Sequence, residues 1–499
     1  MPNKKIVSFF LTLALLGPPL NSALAEVHDN IPSATSIVTF TTMSIPESSS
    51  SPRSSNESAQ NESAPSGTTE SATVVIVNGE EQLAGIETVK MEDNKVLVSI
   101  EVDENVINQK ITEIIEQRML QPLDAPQQNI VEIPVSNQNA DQIVINLTQN
   151  MVKAMADEGF RLSINSGNTN FIVPTQEFAP EEISKIIGTT VTDVTVNITI
   201  EKTDAQKTEE IKEKAKEQGL EVLTAPIHFT ISVTGKDSQG QVHSVRLSQY
   251  SQYTQRIIKI PEGVDSSKIT TGIYYNTDGF LSHIPTEVFT DNNGNWYATM
   301  NSLTDSDYTV VYNPVTVEAV ANHWSKDHVN DIASRLIIKN PATFQPDQAI
   351  TRGEFAEYIT KALGIYRTQK AREGIFSDIE SHHPLGDAIT IASDYNLIQG
   401  YPDRTFRSHN IITREEAINL YARAMTIVAL EKERNQLIEN YSDKEKISPW
   451  AYDGVHKVIS AGIFKGKTSE TINPQDIFTY AEAATAIRNL LTEATLINQ

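Results

Sequence analysis

Two arginines occupy equivalent places in two copies of a short motif near the C-terminus. The copies are Thr351–Glu354 (TRGE) and Thr413–Glu416 (TREE). A threonine followed three residues later by glutamate predicts a helix start, because the hydroxyl can cap the first turn and the glutamate can reach back to the cap. A guanidinium beside the free N–H groups of such a start would bind a carboxylate or phosphate. The motif therefore predicts anion recognition.

A third copy of the motif, Thr479–Glu482 (TYAE), has a tyrosine where the other two have arginine. The three threonines lie 62 and 66 residues apart, which indicates an internal repeat. A single Thr-Arg-x-Glu string is most simply read as a solvated surface arginine. Its recurrence in register favours a functional arginine instead.

Other features recur with the motif. Phe376–Asp378 and Tyr441–Asp443 both read aromatic-Ser-Asp, and each precedes a stretch with apolar residues at helical spacing. A turn with an aromatic residue at each end follows at Tyr401–Phe406, ahead of the next capped helix. Each repeat is therefore predicted to contain two helices joined by a turn.

Residues 317–494 resemble three S-layer homology domains, the wall-anchoring modules of Gram-positive cell-surface proteins. The resemblance is carried by His323–Asp327, Gly400–Phe406 and Trp450-Ala451 as well as by the Thr-x-x-Glu motifs. It implies an all-α, three-pronged, trimer-like assembly built from three internal repeats. Three helices would form a central bundle, and grooves between the prongs would bind secondary cell-wall polysaccharide. The predicted repeats are residues 314–374, 375–438 and 439–499.

The resemblance also implies binding residues. In the family, the motif arginine holds a ketal-linked pyruvate on the polymer, assisted by an aspartate and a tryptophan of the repeat. The matching residues, taken as the polysaccharide-binding set, are Arg352, Arg414, Trp324, Asp378, Asp443 and Trp450.

No repeat has the complete set. The aspartate position of the first repeat reads Ala319, and the arginine position of the third reads Tyr480. In the second repeat the tryptophan position reads Pro384 and the turn glycine reads Arg404. We expect one or two working grooves, and a groove that needs Tyr480 is the least favoured.

The N-terminal sequence predicts export. Lys4 and Lys5 precede the apolar run Ile6–Leu16, and Ala23–Ala25 offers a small-x-small cleavage site. Residues 1–25 therefore read as a signal peptide. No other segment approaches about 18 uninterrupted apolar residues, so no transmembrane span is expected. The predicted location is the cell wall of a Gram-positive-type cell, as a secreted protein.

Between these ends the chain is predicted to be multidomain α+β. Residues 26–72, rich in Ser, Thr, Pro and Asn, read as a disordered linker. Residues 73–200 read as an α+β domain, with a helix over 147–158 that buries a methionine stripe. Residues 201–313 read as a charged helix capped by Thr203, followed by a β-rich, stalk-like module.

The amino-acid composition limits the classes of partner that the protein is expected to bind. The chain of 499 residues has no cysteine and a formal net charge of −24. A disulfide framework is excluded, and nucleic acid is not an expected partner because phosphate binding needs a basic face. No sequence pattern offers a phosphate loop, a catalytic serine elbow or a metal site, so no cofactor or metal is expected. An anionic polymer would be repelled at long range, and a local arginine cluster would have to hold it.

Two functions stay open at this point. The first is a non-catalytic surface protein that presents its N-terminal region outward as a coat, adhesion or stalk element, with an unknown outward partner. The alternative is a wall-anchored carbohydrate-active enzyme whose catalytic region is unrecognised. A deep cleft within residues 73–313, lined by two carboxylates with shifted pKa values, would favour the enzyme.

Overall fold

The structure is a computed structural model that describes residues 67–118, 129–188, 190–276, 279–368, 372, 374–431 and 438–499. The predicted signal peptide, residues 1–25, and most of the predicted linker, residues 26–72, lie outside the described residues. The described chain is mixed α/β, with a large sheet in its N-terminal part and helix pairs in its C-terminal part.

In the part of the chain that the structure describes, the strands all fall between residues 68 and 312 and are hydrogen-bonded into one sheet. They are β1 (Thr68–Val77), β2 (Glu80–Glu92), β3 (Lys95–Val102), β4 (Ile130–Pro134), β5 (Gln142–Thr148), β6 (Arg161–Asn165), β7 (Thr169–Pro174), β8 (Thr192–Lys202), β9 (Glu221–Val222), β10 (Ile227–Lys236), β11 (Val242–Arg246), β12 (Gln249–Lys259), β13 (Thr271–Tyr275), β14 (Leu281–Ile284), β15 (Thr286–Thr290), β16 (Trp296–Thr304) and β17 (Ser306–Tyr312).

Among the described residues, four helices accompany the sheet and six belong to the C-terminal repeats. They are α1 (Glu104–Arg118), α2 (Gln149–Asp157), α3 (Pro180–Ile187), α4 (Ala205–Glu217), α5 (Lys326–Ser334), α6 (Arg352–Ala362), α7 (Gly386–Asp394), α8 (Arg414–Ile427), α9 (Tyr452–Ser460) and α10 (Tyr480–Glu493).

Alternating apolar residues build the sheet as the sequence predicts. In β8, every second side chain from Val194 to Ile200 is buried, as expected for a strand with one face on the core. Helix α2 covers the sheet with Met151, Val152 and Met155, all buried, so the predicted methionine stripe is part of the core.

The N-terminal boundaries differ from those expected. Strand β1 begins at Thr68, inside the predicted linker, because residues 68–72 pair with β2. Strand β8 pairs with β10 along most of its length, so the segments predicted as separate modules, 73–200 and 201–313, share one sheet and one core. The cap of α4 is Asp204, whose carboxylate accepts from Lys207 N. The predicted cap, Thr203, instead donates its hydroxyl to Asp307.

The C-terminal part contains three helix pairs that are connected in a cycle. Each repeat supplies two helices: α5 and α6, then α7 and α8, then α9 and α10. The second helix of each repeat packs on the first helix of the next, which gives an α6/α7, an α8/α9 and an α10/α5 junction. Short 3₁₀ turns and isolated β-bridges also occur here, so the expectation of a purely α-helical region is not confirmed.

A closed ring of three backbone hydrogen bonds joins the repeats. Ile350 N donates to Phe478 O at 2.9 Å, Phe478 N donates to Ile412 O at 3.1 Å, and Ile412 N donates to Ile350 O at 3.2 Å. Each of these residues directly precedes the threonine of a Thr-x-x-Glu motif. The ring therefore brings the three motifs to one centre.

The helix pairs also dock on the sheet. The Tyr253 hydroxyl donates to Leu363 O at 2.8 Å, and Asn313 Nδ2 donates to Ser334 O at 2.7 Å. Near the C-terminus, the Asn498 side chain exchanges two hydrogen bonds with the backbone of Val288 in β15. Leu303 of β16 belongs to the apolar core of the repeats. The first and last repeats are therefore fixed to the sheet by polar and apolar contacts.

No helix among the described residues is both long and apolar enough to cross a bilayer.

Candidate functional site

The three predicted helix starts are confirmed as capping boxes. In the first, Glu354 N donates to Thr351 Oγ1 at 3.3 Å, and Thr351 N donates to Glu354 Oε2 at 3.0 Å. The same reciprocal pair of bonds closes the starts of α8 and α10. The capping glutamates are thus held by their own helices, each with one oxygen directed to the cap.

The other N–H groups of these helix starts are occupied. Arg352 N donates to Asn410 O at 2.9 Å, Arg414 N to Asp476 O at 3.0 Å, and Tyr480 N to Gln348 O at 3.1 Å. Each acceptor lies in a neighbouring repeat. The expectation that free N–H groups would help an arginine to hold an anion is therefore wrong, because these donors join the repeats to one another.

Each motif side chain reaches the capping glutamate of the next repeat. Arg352 Nη1 lies 3.1 Å from Glu416 Oε1, and Arg414 Nη1 lies 2.5 Å from Glu482 Oε1. A cation at the first position of a helix is mildly unfavourable toward that helix's own dipole. The structure supplies the reason for its presence, since it neutralises a carboxylate across the repeat boundary.

The third link in this cycle is neutral. Tyr480 hydrogen-bonds Glu354, and burial together with this bond raises the pKa of the Tyr480 hydroxyl. Tyr480 therefore takes the structural place of the arginine without supplying its charge.

Arg352 lines the α8/α9 junction and is only 8% exposed. Its Nε donates to Phe406 O at 3.1 Å and its Nη2 to Gln399 O at 3.4 Å. The guanidinium lies over the Tyr401 ring, 4.8 Å from the ring centroid. Three sides of this cation are therefore engaged by the loop that precedes α8.

Arg414 has the equivalent place at the α10/α5 junction and is 1% exposed. Its Nε donates to Ile472 O at 2.9 Å, and its guanidinium lies 4.6 Å from the Phe464 centroid. Burial lowers the pKa of Arg414. Its Nη2 is buried without a hydrogen-bond partner, and an unsatisfied buried donor is costly. An acceptor brought to this atom would remove that cost.

The predicted aspartates hold loops. Asp378 accepts from Phe406 N and Arg407 N, both at 2.7 Å. Asp443 accepts from Ile472 N and Asn473 N, both at 2.8 Å. These loops carry the carbonyls that receive the Nε groups of Arg352 and Arg414. The aspartates therefore fix the backbone of the loops that contact the two arginines.

The predicted tryptophans are exposed. Trp324 precedes α5 and Trp450 precedes α9, with exposed fractions of 64% and 61%. A large apolar ring that is left in solvent beside a groove provides a surface for a partner with an apolar face.

A groove of about 270 Å³ opens at the α8/α9 junction. It contains Arg352 from the first repeat, the 398–406 loop and α8 from the second, and Trp450 from the third. Its lining residues are Arg352, Ile398, Gln399, Gly400, Tyr401, Pro402, Phe406, Ile412, Glu416, Asn419, Leu420, Arg423 and Trp450. The structure thus brings together three predicted site elements, Arg352, the loop held by Asp378, and Trp450. Arg423, Glu416 and Tyr401 were not predicted.

Because the repeats are connected in a cycle, each junction combines an arginine, an aspartate and a tryptophan position from different repeats. The α8/α9 junction combines Arg352, Asp378 and Trp450, and the α10/α5 junction combines Arg414, Asp443 and Trp324. The α6/α7 junction receives three of the four departures, Tyr480, Ala319 and Pro384, whereas Arg404 lies in the 398–406 loop of the α8/α9 junction. Two junctions therefore keep the arginine, the aspartate and the tryptophan, although no single repeat does.

Aromatic packing fills the α6/α7 junction. Tyr480 lies 5.9 Å, centroid to centroid, from both Phe344 and Tyr358. Lys361 of α6 pairs with Glu357 at 2.9 Å. The place that holds an arginine side chain at the other junctions is here occupied by a ring, and the nearby cation is neutralised.

Three tandem helix pairs, closed into a cycle by shared capping glutamates and with a groove at the α8/α9 junction, define a repeat-built binding module. The sequence profile of the S-layer homology domain matches residues 318–356, 375–418 and 440–484. The chain therefore carries three S-layer homology domains and is a cell-surface protein. Domains of this kind anchor proteins at the cell wall by binding its polysaccharide.

Curated relatives agree with this assignment. Exoglucanase XynX of Acetivibrio thermocellus is 32% identical over 194 residues, 38% of this chain and 18% of the relative. A cellulosome-anchoring protein of the same organism is 28% identical over 155 residues, 31% of this chain and 34% of the relative. A surface layer protein of Brevibacillus choshinensis is 31% identical over 84 residues, 16% of this chain and 8% of the relative. The chain thus spans 34% or less of the length of each of these relatives.

Proposed function

We propose that this protein is a non-catalytic cell-surface protein that attaches non-covalently to pyruvylated secondary cell-wall polysaccharide through its three C-terminal repeats. The repeats form the three-pronged, trimer-like assembly that the family resemblance implies. The N-terminal sheet region is presented outward as a coat, adhesion or stalk element. The proposal rests on how the binding residues are distributed. Two junctions keep the arginine, the aspartate and the tryptophan, and the third, α6/α7, is filled by aromatic side chains.

The two complete junctions combine the groups that an acidic polysaccharide needs. Trp450 and Trp324 offer exposed rings, and large aromatic side chains dominate binding energy at many interfaces. Arg352 and Arg414 lie in these junctions, where each is paired with a capping glutamate. Because the whole chain has a formal charge of −24, attraction between an acidic polymer and a cation of the groove acts at short range, within the Debye length of about 10 Å.

If the α10/α5 junction offers a second groove like that at α8/α9, attachment becomes bivalent. A polymer that repeats the same unit can fill both, so the second binding step becomes intramolecular. Avidity of this kind exceeds single-site affinity by about 10²–10⁴-fold when both sites can engage together. Loss of one groove is therefore expected to weaken wall attachment strongly.

The exposed tryptophans provide the test. Trp324→Ala, Trp450→Ala and the double variant are compared with the wild type for binding to purified cell walls, before and after chemical removal of the secondary polymer. Because both rings are exposed, stability is expected to change by less than about 0.5 kcal/mol. Each single variant should bind intact walls more weakly, and the double variant should lose binding.

The matched control is Pro384→Ala. Pro384 is exposed and occupies the tryptophan position of the filled α6/α7 junction, so its replacement should leave wall binding unchanged. The proposal is overturned if the double tryptophan variant, folded by circular dichroism, binds intact walls as the wild type does. Equal binding of the wild type to stripped walls would overturn it as well.

A second candidate function is a wall-anchored carbohydrate-active enzyme, because relatives such as exoglucanase XynX bear the names of enzymes. A groove of about 260 Å³ in the sheet region contains two carboxylates, Asp141 and Glu201. The Lys202 ammonium and the Val96 amide hold the pKa of Asp141 below its usual range. An acid with a lowered pKa is a poor proton donor at neutral pH, which is why we place this candidate second.

Hydrolysis assays distinguish the two candidates. The full chain is incubated with xylan, β-glucan, α-glucan and purified wall polysaccharide, and reducing ends are measured beside Asp141→Asn and Glu201→Gln variants. Activity that disappears in both variants would establish the enzyme. An equal background signal from all three chains is the result expected for a non-catalytic protein.

A further inference from the structure

The α8/α9 groove contains one more cation than it contains carboxylates. Arg352 and Arg423 both line it, whereas Glu416 is the sole carboxylate among its lining residues. Glu416 Oε1 accepts from Arg352 at 3.1 Å and from the Tyr401 hydroxyl at 3.2 Å, and Oε2 accepts from Thr413 N at 2.9 Å. Both oxygens of Glu416 are therefore in use without Arg423.

Arg423 is the cation left without a carboxylate. Its Nη1 donates to the neutral Leu397 O at 3.2 Å, and within the described part of the chain it forms no ion pair. The side chain is half-buried, and burial lowers the pKa of its guanidinium. A partly desolvated cation without a counter-charge is a poor arrangement for stability alone.

The equivalent positions in the other repeats are electrically neutral. Ten residues after the N-cap threonine, α6 has Lys361, which is paired with Glu357 at 2.9 Å. In α8 the place of Glu357 is taken by Asn419, so Arg423 has no such partner. In α10 the position is Asn489, which donates to Ile463 O. The uncompensated charge is therefore specific to the α8/α9 groove.

We propose that Arg423 is the residue that pairs with the negative charge of the wall polymer in the α8/α9 groove, and that Arg352 is a positioning residue that holds the groove wall. The ligand class is a sugar unit that bears a carboxylate. This inference rests on the proposed function and assigns its charge recognition to a residue outside the Thr-x-x-Glu motif.

The chemistry of the two arginines supports this division. Arg352 already donates to Glu416, Phe406 O and Gln399 O, so a ligand carboxylate would compete with bonds that hold the 398–406 loop. Arg423 has one neutral partner and further N–H groups in the same groove. A planar guanidinium can then meet a carboxylate through two parallel hydrogen bonds. Trp450 provides a surface for the sugar ring in that groove.

The test measures one groove at a time. Full-length protein that carries Trp324→Ala, which disables the α10/α5 groove, is titrated by calorimetry with a methyl hexopyranoside bearing a 4,6-pyruvate ketal. The uncharged methyl ester of the same compound is the second probe. Arg423→Gln, Arg423→Met and Arg423→Lys are compared in this background, with Lys361→Gln as the matched control at the neutralised position.

The expected result is a loss of at least tenfold in affinity for the acid with Gln or Met, a smaller loss with Lys, and no change with Lys361→Gln. The ester should bind all variants alike. The inference is overturned if Arg423→Gln and Arg423→Met bind the acid as tightly as the parent, or if they lose acid and ester equally. If the parent and the wild type bind neither the hexoside nor purified walls, the proposed function fails and this assignment fails with it.

Discussion

Replacing Arg414 with alanine is expected to destabilise the repeats by about 3–5 kcal/mol, the usual effect of removing one partner from a buried ion pair. The Arg414 side chain is buried, and its guanidinium is bonded to Glu482 Oε1 and Ile472 O. Removal would leave the mostly buried Glu482 carboxylate without its cation and would expose the face of Phe464. Both effects act on the folded state.

The matched variant is Tyr480→Phe. Tyr480 has the same structural place, but its link to Glu354 is a single hydroxyl hydrogen bond, and loss of such a bond to a charged acceptor costs about 1.5–3 kcal/mol at most. Arg414→Ala should therefore be the more damaging of the two changes, because Tyr480→Phe removes only the hydroxyl and keeps the aromatic ring.

Urea denaturation of the full chain measures both changes. Trp324 and Trp450 lie in the repeats, so their fluorescence follows unfolding of this region, and far-ultraviolet circular dichroism follows its helices. A loss below about 1 kcal/mol for Arg414→Ala would refute the view that this arginine is a structural link. Because this loss is expected, weak wall binding by Arg414→Ala would not by itself identify a ligand contact, whereas the exposed tryptophans allow that inference.

Two further predictions concern the sheet and its contact with the repeats. Burial alone would raise the pKa of Asp307, but the adjacent His228 ring and the Lys207 ammonium, 2.6 Å from Asp307 Oδ2, hold it at about 2. Because the folded-state pKa is lowered, the resulting stability of about 2 kcal/mol is present above pH 4 and lost as the pH falls toward 2. Asp307→Asn should therefore be less stable than the wild type at pH 7 and nearly equal to it at pH 2 in chemical denaturation. The isolated fragment 315–499 should be helical by circular dichroism but should melt below the repeats of the full chain, because it lacks Leu303 and the Tyr253 and Asn313 hydrogen bonds; an unchanged melting temperature would contradict this.

Local patterns predicted the parts of the fold that depend on neighbouring residues. The three capping boxes were predictable because their donors and acceptors lie within three residues of each other. Helix α1 was missed although Ile107, Ile111 and Ile114 are spaced for one buried helical face. The cap of α4 was misplaced by one residue because the competing partner of Thr203, Asp307, lies 104 residues further along the chain.

The site could be predicted only in part, because its decisive contacts join distant repeats. Arg352 and its partner Glu416 are 64 residues apart, and Arg414 and Glu482 are 68 apart. The sequence identifies both members as motif residues but gives no sign that one neutralises the other. The expectation that these helix starts leave free N–H groups failed for the same reason, since the acceptors of those N–H groups lie in other repeats.

In this chain each candidate site combines residues of different repeats, so the pattern of binding residues has to be compared between junctions and not between single repeats. Judged one by one, all three repeats are defective, since the first lacks the aspartate, the second the tryptophan and the third the arginine. The cycle α6/α7, α8/α9, α10/α5 assigns each of these three positions in a repeat to a different junction. Ala319, Pro384 and Tyr480 therefore coincide, and a change that disables the α6/α7 junction leaves the other two intact. The same holds for Arg423. Its charge is uncompensated only because Glu416, the carboxylate of the same groove, is already paired with Arg352 of another repeat.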